Sequence, residues 1–162
     1  MQSCSISKYF FFPGSDATFF ILTSTTGNGE PPQHAIPFKN AMEDANISGN
    51  LVFKNVKYTV FALGSSSYEH FCNFGIFCDE MIEDLGGHSI APLVLSDAEI
   101  GQDKPFQNWT KRAMVGASRA MKVEIPVQIQ QNWPFSSLNS IRKARFVATN
   151  YKASNIINGN LY

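Results

Sequence analysis

The sequence predicts an α/β fold, an open doubly wound parallel sheet with flanking helices, and three observations carry that expectation. Three short stretches rich in β-branched and aromatic residues, 18–23, 57–63 and 89–95, are each followed by serine or glycine. Their apolarity is nearly continuous rather than alternating, as in strands covered on both faces. Helical patterns separate them, so the order is strand, loop, helix, repeated three times. The 162 residues suit one principal domain, and 44% hydrophobic content supplies a core, which excludes a disordered or disulfide-stapled scaffold.

The elements follow in chain order. TFFILT at 18–23 is the first strand, and STTGNGEPP at 24–32 is the loop at its end. A short helix is expected over 37–46. KYTVFAL at 57–63 is the second strand, ending in the loop GSSSYEHFC at 64–72. Phe71, Phe74, Cys78, Ile82 and Leu85 then recur at three- and four-residue spacing, with Gly86 as a stop, which gives the clearest helix. SIAPLVL at 89–95 is the third strand, followed by SDAEIGQ at 96–102. A last helix starts near Asp103 with Pro105 in its first turn and carries Phe106, Trp109, Ala113 and Ala117 on one face. Residues 122–140 have two prolines and many polar side chains, as a linker does, and 141–162 are expected to begin a further domain or a tail.

Several function classes drop out. The longest apolar runs, 9–12 and 19–22, fall far short of the ~18 residues that cross a bilayer. The N-terminus lacks the basic segment and apolar run of a secretory signal, so a cytoplasmic address is expected. Cys4, Cys72 and Cys78 are odd in number with no CxxC pair, which fits reduced thiols. His34, His70 and His88 share no spacing that would gather metal ligands, so no metal site is expected. The N-x-S/T triplets at Asn46 and Asn108 are chance matches without a secretion signal.

Net charge is zero, but the charges are segregated. Residues 58–103 hold Glu69, Asp79, Glu80, Glu83, Asp84, Asp97, Glu99 and Asp103 and no lysine or arginine. From Lys104 onward nine bases face Glu124 alone. Two explanations stand side by side: a solvated helix face followed by a solvated tail, or an acidic docking surface that steers a basic partner. Nucleic acid is not the expected partner, because the bases are scattered rather than clustered with aromatics.

A doubly wound sheet binds its ligand outside the carboxyl ends of its strands, which directs attention to the loops 24–32, 64–72 and 96–102. Gly27, Gly29 and Gly64 let backbone amides approach a flat polar ligand. TSTTGNGEPP at 23–32, FALGSSSYEHFCNFG at 61–75 and GQDKPFQNW at 101–109 together resemble the FMN-binding module of nitric oxide synthase, in matching order and at matching intervals. The diflavin reductases share the scheme, but HFC at 70–72 and GQ at 101–102 are more similar to the synthase branch.

The resemblance covers about residues 18–121 and implies a flavodoxin-like sheet, of which three core strands with flanking helices are present. It implies bound FMN, with electrons arriving from an NADPH- and FAD-binding reductase domain and leaving singly to a haem oxygenase domain; FAD, NADPH and haem belong only to the complete parent. By position, Ser24 and Thr25, with Gly27 and Asn28 of the same loop, match the segment lining the flavin. Ser65, Tyr68, Cys72 and Gln102 match flavin-contacting positions in the other two loops. An isoalloxazine needs an aromatic face, which Tyr68 supplies, and amide and hydroxyl partners for its polar edge. The flavin performs the electron chemistry, so no catalytic acid, base or nucleophile is expected.

The sequence also departs from that pattern. Nothing in 1–16 resembles the family's first strand and its TETG-like phosphate loop, the usual kind of anion cradle, so weakened FMN retention and a truncated sheet are expected. Residues 1–17 are expected to be non-homologous. Thr26 stands where the family places an aromatic over the second flavin face, and Ala98 where it places a glutamate, with Glu99 adjacent. Residues 39–57 leave no room for the long autoinhibitory insertion of calcium-dependent members. Two functions follow as alternatives: an FMN electron-transfer module, or a non-catalytic fragment that binds no flavin and acts at most through interaction.

Overall fold

The computed structural model describes residues 17–124, so the expected N-terminal segment up to residue 16, and the linker and further domain from residue 125 onward, lie outside the described residues. Strand β1 is Thr18–Ser24 and β2 is Lys57–Gly64; they pair in parallel, from Thr18 against Lys57 to Ser24 against Leu63. The strand expected at 89–95 is two shorter ones, β3 (His88–Ser89) and β4 (Val94–Asp97), both parallel to β2 on its other side. The sequence-based expectation of one continuous strand is corrected here, and Pro92 explains the break: it has no N–H for the ladder. Across the interruption the Ile90 N–H still donates to the Tyr58 carbonyl at 2.8 Å. The Thr59 hydroxyl then donates to the Ala91 carbonyl at 3.1 Å.

A 3-10 turn at Gln33–Ala35 leads into helix α1, Ile36–Ile47; α2 is Asn73–Asp84 and α3 is Asp103–Met121. The expected helices are all present, with Pro37 and Pro105 in the first turns of α1 and α3, where a missing N–H costs nothing. Phe71 and Leu85, expected at the ends of the middle helix, lie just outside α2.

Strand alternation splits the core in two. Tyr58 and Val60 of β2 join Met42 and Ala45 of α1 and Phe74, Cys78 and Ile82 of α2 on one face. Phe61 joins Ala91 and the α3 residues Phe106, Trp109 and Ala113 on the other. Helices therefore cover both faces of β2, which accounts for the continuous apolarity of its sequence. Each large side chain so enclosed contributes about 1.5–3 kcal/mol. Trp109, almost wholly enclosed, donates its Nε1–H to the Thr59 hydroxyl at 3.0 Å, so its polar atom is satisfied within the core.

Helix α2 lies flush on the sheet because residue 75 is glycine: a Cβ there would sit 2.2 Å from the Ala62 Cβ. On β1, Phe19 and Ile21 face the α1–α2 core, whereas Phe20 and Leu22, on the α3 side, are 40% and 36% exposed. Among the described residues no helix is long and apolar enough to cross a membrane.

Candidate functional site at the strand tips

All four strands run parallel; the carboxyl ends of β1, β2 and β4 share one edge of the sheet, whereas β3 pairs only with the start of β2, at Lys57 and Tyr58. Register puts Ser24 beside Leu63, and Gly64 beside Asp97, so the three loops leaving β1, β2 and β4 emerge side by side. Residues as far apart in the chain as Ser24 and Asp97 are thereby carried on strands that flank β2. Backbone bonds reinforce the edge: the Thr25 N–H donates to the Leu63 carbonyl at 3.2 Å and the Ala98 N–H to the Gly64 carbonyl at 2.9 Å.

The first loop is a closed ring. Thr26 and Glu30 exchange two backbone hydrogen bonds of 2.8 Å, and the Thr26 hydroxyl lies 3.1 Å from the carbonyls of both Glu30 and Pro31, to which it donates. Thr26 thus serves to shape the loop from inside. Gly27 and Asn28 stand exposed at its tip, and Gly29, with φ of +91°, is buried against Asn73 and His70. The Asn73 amide donates to the Gly29 carbonyl at 3.4 Å, tying this loop to the start of α2.

Thr25 and Cys72 serve the protein's own architecture. The Thr25 hydroxyl accepts the Phe74 N–H at 3.1 Å, so a residue of the first loop caps a helix distant in sequence. Cys72, at the N-terminal boundary of α2, has a left-handed backbone with φ of 55°. Its side chain is fully buried, with Sγ 3.5 Å from the Ala62 carbonyl and 3.8 Å from that of Ser96. Burial is the main cause that pushes its thiol pKa up, with Asp97 adding to it and the Ser96 backbone opposing. Its contribution to a ligand would therefore come through the backbone, with Sγ acting as a strut beneath Gly64, where a Cβ would meet Sγ at 2.7 Å.

The second and third loops are bonded to each other. The Ser65 hydroxyl donates to Glu99 Oε1 at 2.6 Å, and the Ser67 N–H donates to the Ser65 hydroxyl at 3.2 Å. Asp97 Oδ1 accepts the N–H groups of Ser66 and Glu99, both at 3.0 Å. Hydrogen bonds from Ser66, then from the Glu99 N–H, hold the Asp97 carboxyl below the usual carboxylate range. The Gln102 amide donates to the carbonyls of Gly64 at 3.3 Å and Ser96 at 3.1 Å. Ser96, fully buried beside these groups, has a hydroxyl with no hydrogen-bond partner.

Of the side chains singled out from the sequence, Ser24, Thr25, Ser65 and Gln102 are half-buried at the base of the tips. Gly27 and Asn28 are exposed, and Tyr68 presents a ring that is 69% exposed. All three loops do meet along one edge. Sequence reasoning missed Asp97, Ser96 and Asn73, whose importance lies in bonds across 24 to 44 residues rather than in any local pattern. Among the described residues no group of three His, Cys, Asp or Glu side chains is placed to hold a metal ion.

The arrangement suits the planar end of a flavin: an exposed aromatic ring beside a rim of backbone amides and carbonyls at a strand edge. These three loops offer no cationic partner for an attached phosphate. The loops 24–32, 64–72 and 96–102 contain Glu30, Glu69, Asp97 and Glu99 and no lysine or arginine.

The match to a family model agrees with this fold. A family model described as Flavodoxin matches residues 14–109. The chain is 41% identical over 86 residues to a nitric oxide synthase-like protein of Bombyx mori, covering 52% of this chain and 8% of that protein. It is 35% identical over 100 residues to the sulfite reductase [NADPH] flavoprotein alpha-component of Bacillus subtilis, covering 62% of this chain and 16% of the relative. Among solved structures, a cysteine-to-alanine mutant of flavodoxin from Pseudomonas aeruginosa superposes with a TM-score of 0.49 at 28% identity, covering 65% of this chain and 67% of that one. The chain thus spans 8% and 16% of the length of these two curated relatives.

Proposed function

This chain belongs to the flavodoxin family, and from that premise we propose that it is an FMN-binding electron-transfer module, with the flavin ring at the tips of β1, β2 and β4. The convergence of those three loops beside the exposed Tyr68 ring is the observation that carries the proposal. When bound, FMN supplies the one-electron chemistry. The protein's own groups orient it. Tyr68 packs on one ring face, the loop containing Ser24, Thr25, Gly27 and Asn28 lines the ring, and Ser65, Gln102 and the backbone around Cys72 set the shape of its polar edge. Thr26, turned into its own loop, leaves the second face without an aromatic cover.

In the finer form of the proposal, the parent is a nitric oxide synthase-like diflavin oxidoreductase. An NADPH- and FAD-binding reductase domain delivers electrons, a haem oxygenase domain receives them, and the acidic surface of α2 is the docking face. Similarity to the Bombyx mori protein supports that branch, as do HFC at 70–72 and GQ at 101–102. Two free buried thiols, Cys72 and Cys78, favour a reducing, cytoplasmic setting.

A second function is favoured by the acidic loops, which hold four carboxylates and no base of their own, Glu30 being paired with Lys39 of α1 at 3.3 Å: the chain acts as an interaction fragment without flavin. Titrating the purified chain with FMN and following flavin fluorescence separates the two. Quenching with a dissociation constant in the micromolar range is expected for the electron-transfer module. No quenching at tens of micromolar overturns it and leaves the interaction fragment.

A further inference from the structure

We infer that Asp97 is a positioning residue that fixes the second strand-tip loop against the third, and so sets the polar edge offered to a ligand ring; the ligand part rests on the proposed function. Asp97 is the last residue of β4 and pairs with Gly64, the last residue of β2, so it stands where the two loops diverge. Its Oδ1 takes one N–H from each, that of Ser66 on the far side and that of Glu99 on its own, both at 3.0 Å. One oxygen therefore closes a bridge between segments 31 residues apart.

The rest of the junction depends on that closure. Gly64's carbonyl already accepts from the Ala98 N–H and from the Gln102 amide, and the Ser65 hydroxyl reaches Glu99 at 2.6 Å. These bonds place Ser65 and Gln102 only while the Ser66 and Glu99 backbones stay in register, and Asp97 supplies the one acceptor shared by both. The neighbouring surface explains why the acceptor must be this side chain. Ser66, Ser67 and Glu99 are exposed, so no apolar packing holds their backbone, and an N–H released there would turn to water. A second carboxylate, Glu99, adjoins the site, so Asp97 is held as an ion by its donors rather than by a base.

Amide hydrogen exchange on the full chain without flavin tests the bridge, and FMN titration tests its consequence. In Asp97→Ala, exchange at Ser66 and Glu99 is expected to rise at least tenfold while Val60 and Phe61 in the core stay protected. The FMN dissociation constant is expected to rise at least fivefold. Asp97→Asn retains a carbonyl oxygen at the same point, so it should keep exchange within threefold of wild type and bind FMN no more than twofold more weakly. Unchanged exchange at Ser66 and Glu99 in Asp97→Ala overturns the bridge, and so does an Asp97→Asn chain as loose as Asp97→Ala. Loosened loops with unchanged FMN affinity overturn the positioning role and leave the proposed function standing. A wild-type chain that leaves FMN fluorescence unchanged removes the proposed function and with it the ligand role, whereas the exchange data still decide whether Asp97 joins the loops.

Discussion

Among single residues, the strand-tip side chains divide into those that hold the protein together and those left free for a ligand. Thr25, Ser65 and Gln102 are engaged with protein groups at 3.1, 2.6 and 3.1 Å, and Cys72 is turned wholly inward. Tyr68 differs: its ring is 69% exposed, so truncating it removes ligand contact with little loss of packing. Tyr68→Ala is expected to weaken FMN binding roughly 2- to 10-fold, the range for one aromatic stacking contact, with an unchanged melting temperature. Fluorescence titration and thermal unfolding on the same preparation check both halves. The family resemblance nominated Tyr68 and Cys72 alike. In the fold their exposures are opposite: Cys72 has a left-handed backbone and is buried against Gly64, while Tyr68 stands in the open.

Helix α2 shows how an element carries a cost that its own sequence announces. Asp79, Glu80, Glu83 and Asp84 crowd its C-terminal half, where the helix dipole disfavours negative charge, and the pairs 79/83 and 80/84 repel at helical spacing. Burial first, then Glu83 and Glu80, push the Asp79 carboxyl above its ordinary range, with the Tyr58 hydroxyl opposing. One of its oxygens is buried without a partner, while the Tyr58 hydroxyl donates to its backbone carbonyl at 2.9 Å. A carboxyl raised in the folded state leaves the fold unpenalised below its unfolded pKa and penalises it as pH rises through the folded value. Asp79→Ala is therefore expected to stabilise the protein by about 1 kcal/mol at pH 7, a figure reduced for solvent screening because Asp79 is partly exposed. Roughly half of that is helix propensity, which persists near pH ~3, while the remainder disappears as Asp79 protonates. Urea unfolding at the two pH values measures the difference, and a gain that grows toward acid would contradict this account.

For the whole molecule, the sheet separates two charged surfaces. Glu80, Glu83 and Asp84 are exposed on α2, and Lys104, Lys111, Arg112 and Arg119 are exposed on α3, with helices α2 and α3 packed on opposite faces of β2. If the α2 face receives a basic reductase partner, Glu83→Lys with Asp84→Lys should slow electron delivery about tenfold at low ionic strength. The difference should vanish near ~0.5 M salt, where the Debye length falls to a few ångströms. Stopped-flow reduction of the flavin across a salt series measures this, and rates equal at every ionic strength would remove α2 from docking.

Much of this architecture was legible beforehand. Apolar spacing marked α2 and α3, continuous runs of β-branched and aromatic residues marked β1 and β2, and glycine-rich loops marked the tips, because such patterns are local properties of a chain. Residues 89–95 misled, since their composition favours one strand while Pro92 withholds the donor that would continue it. The order of elements, the edge of the sheet suited to a ligand and the segregation of charge were all written in the chain. The capping of α2 by Thr25, the inward turn of Cys72 and the joining of two loops by Asp97 were not. Each of those rests on hydrogen bonds between residues 10 to 49 apart, which exist only once parallel pairing has brought the strand ends together.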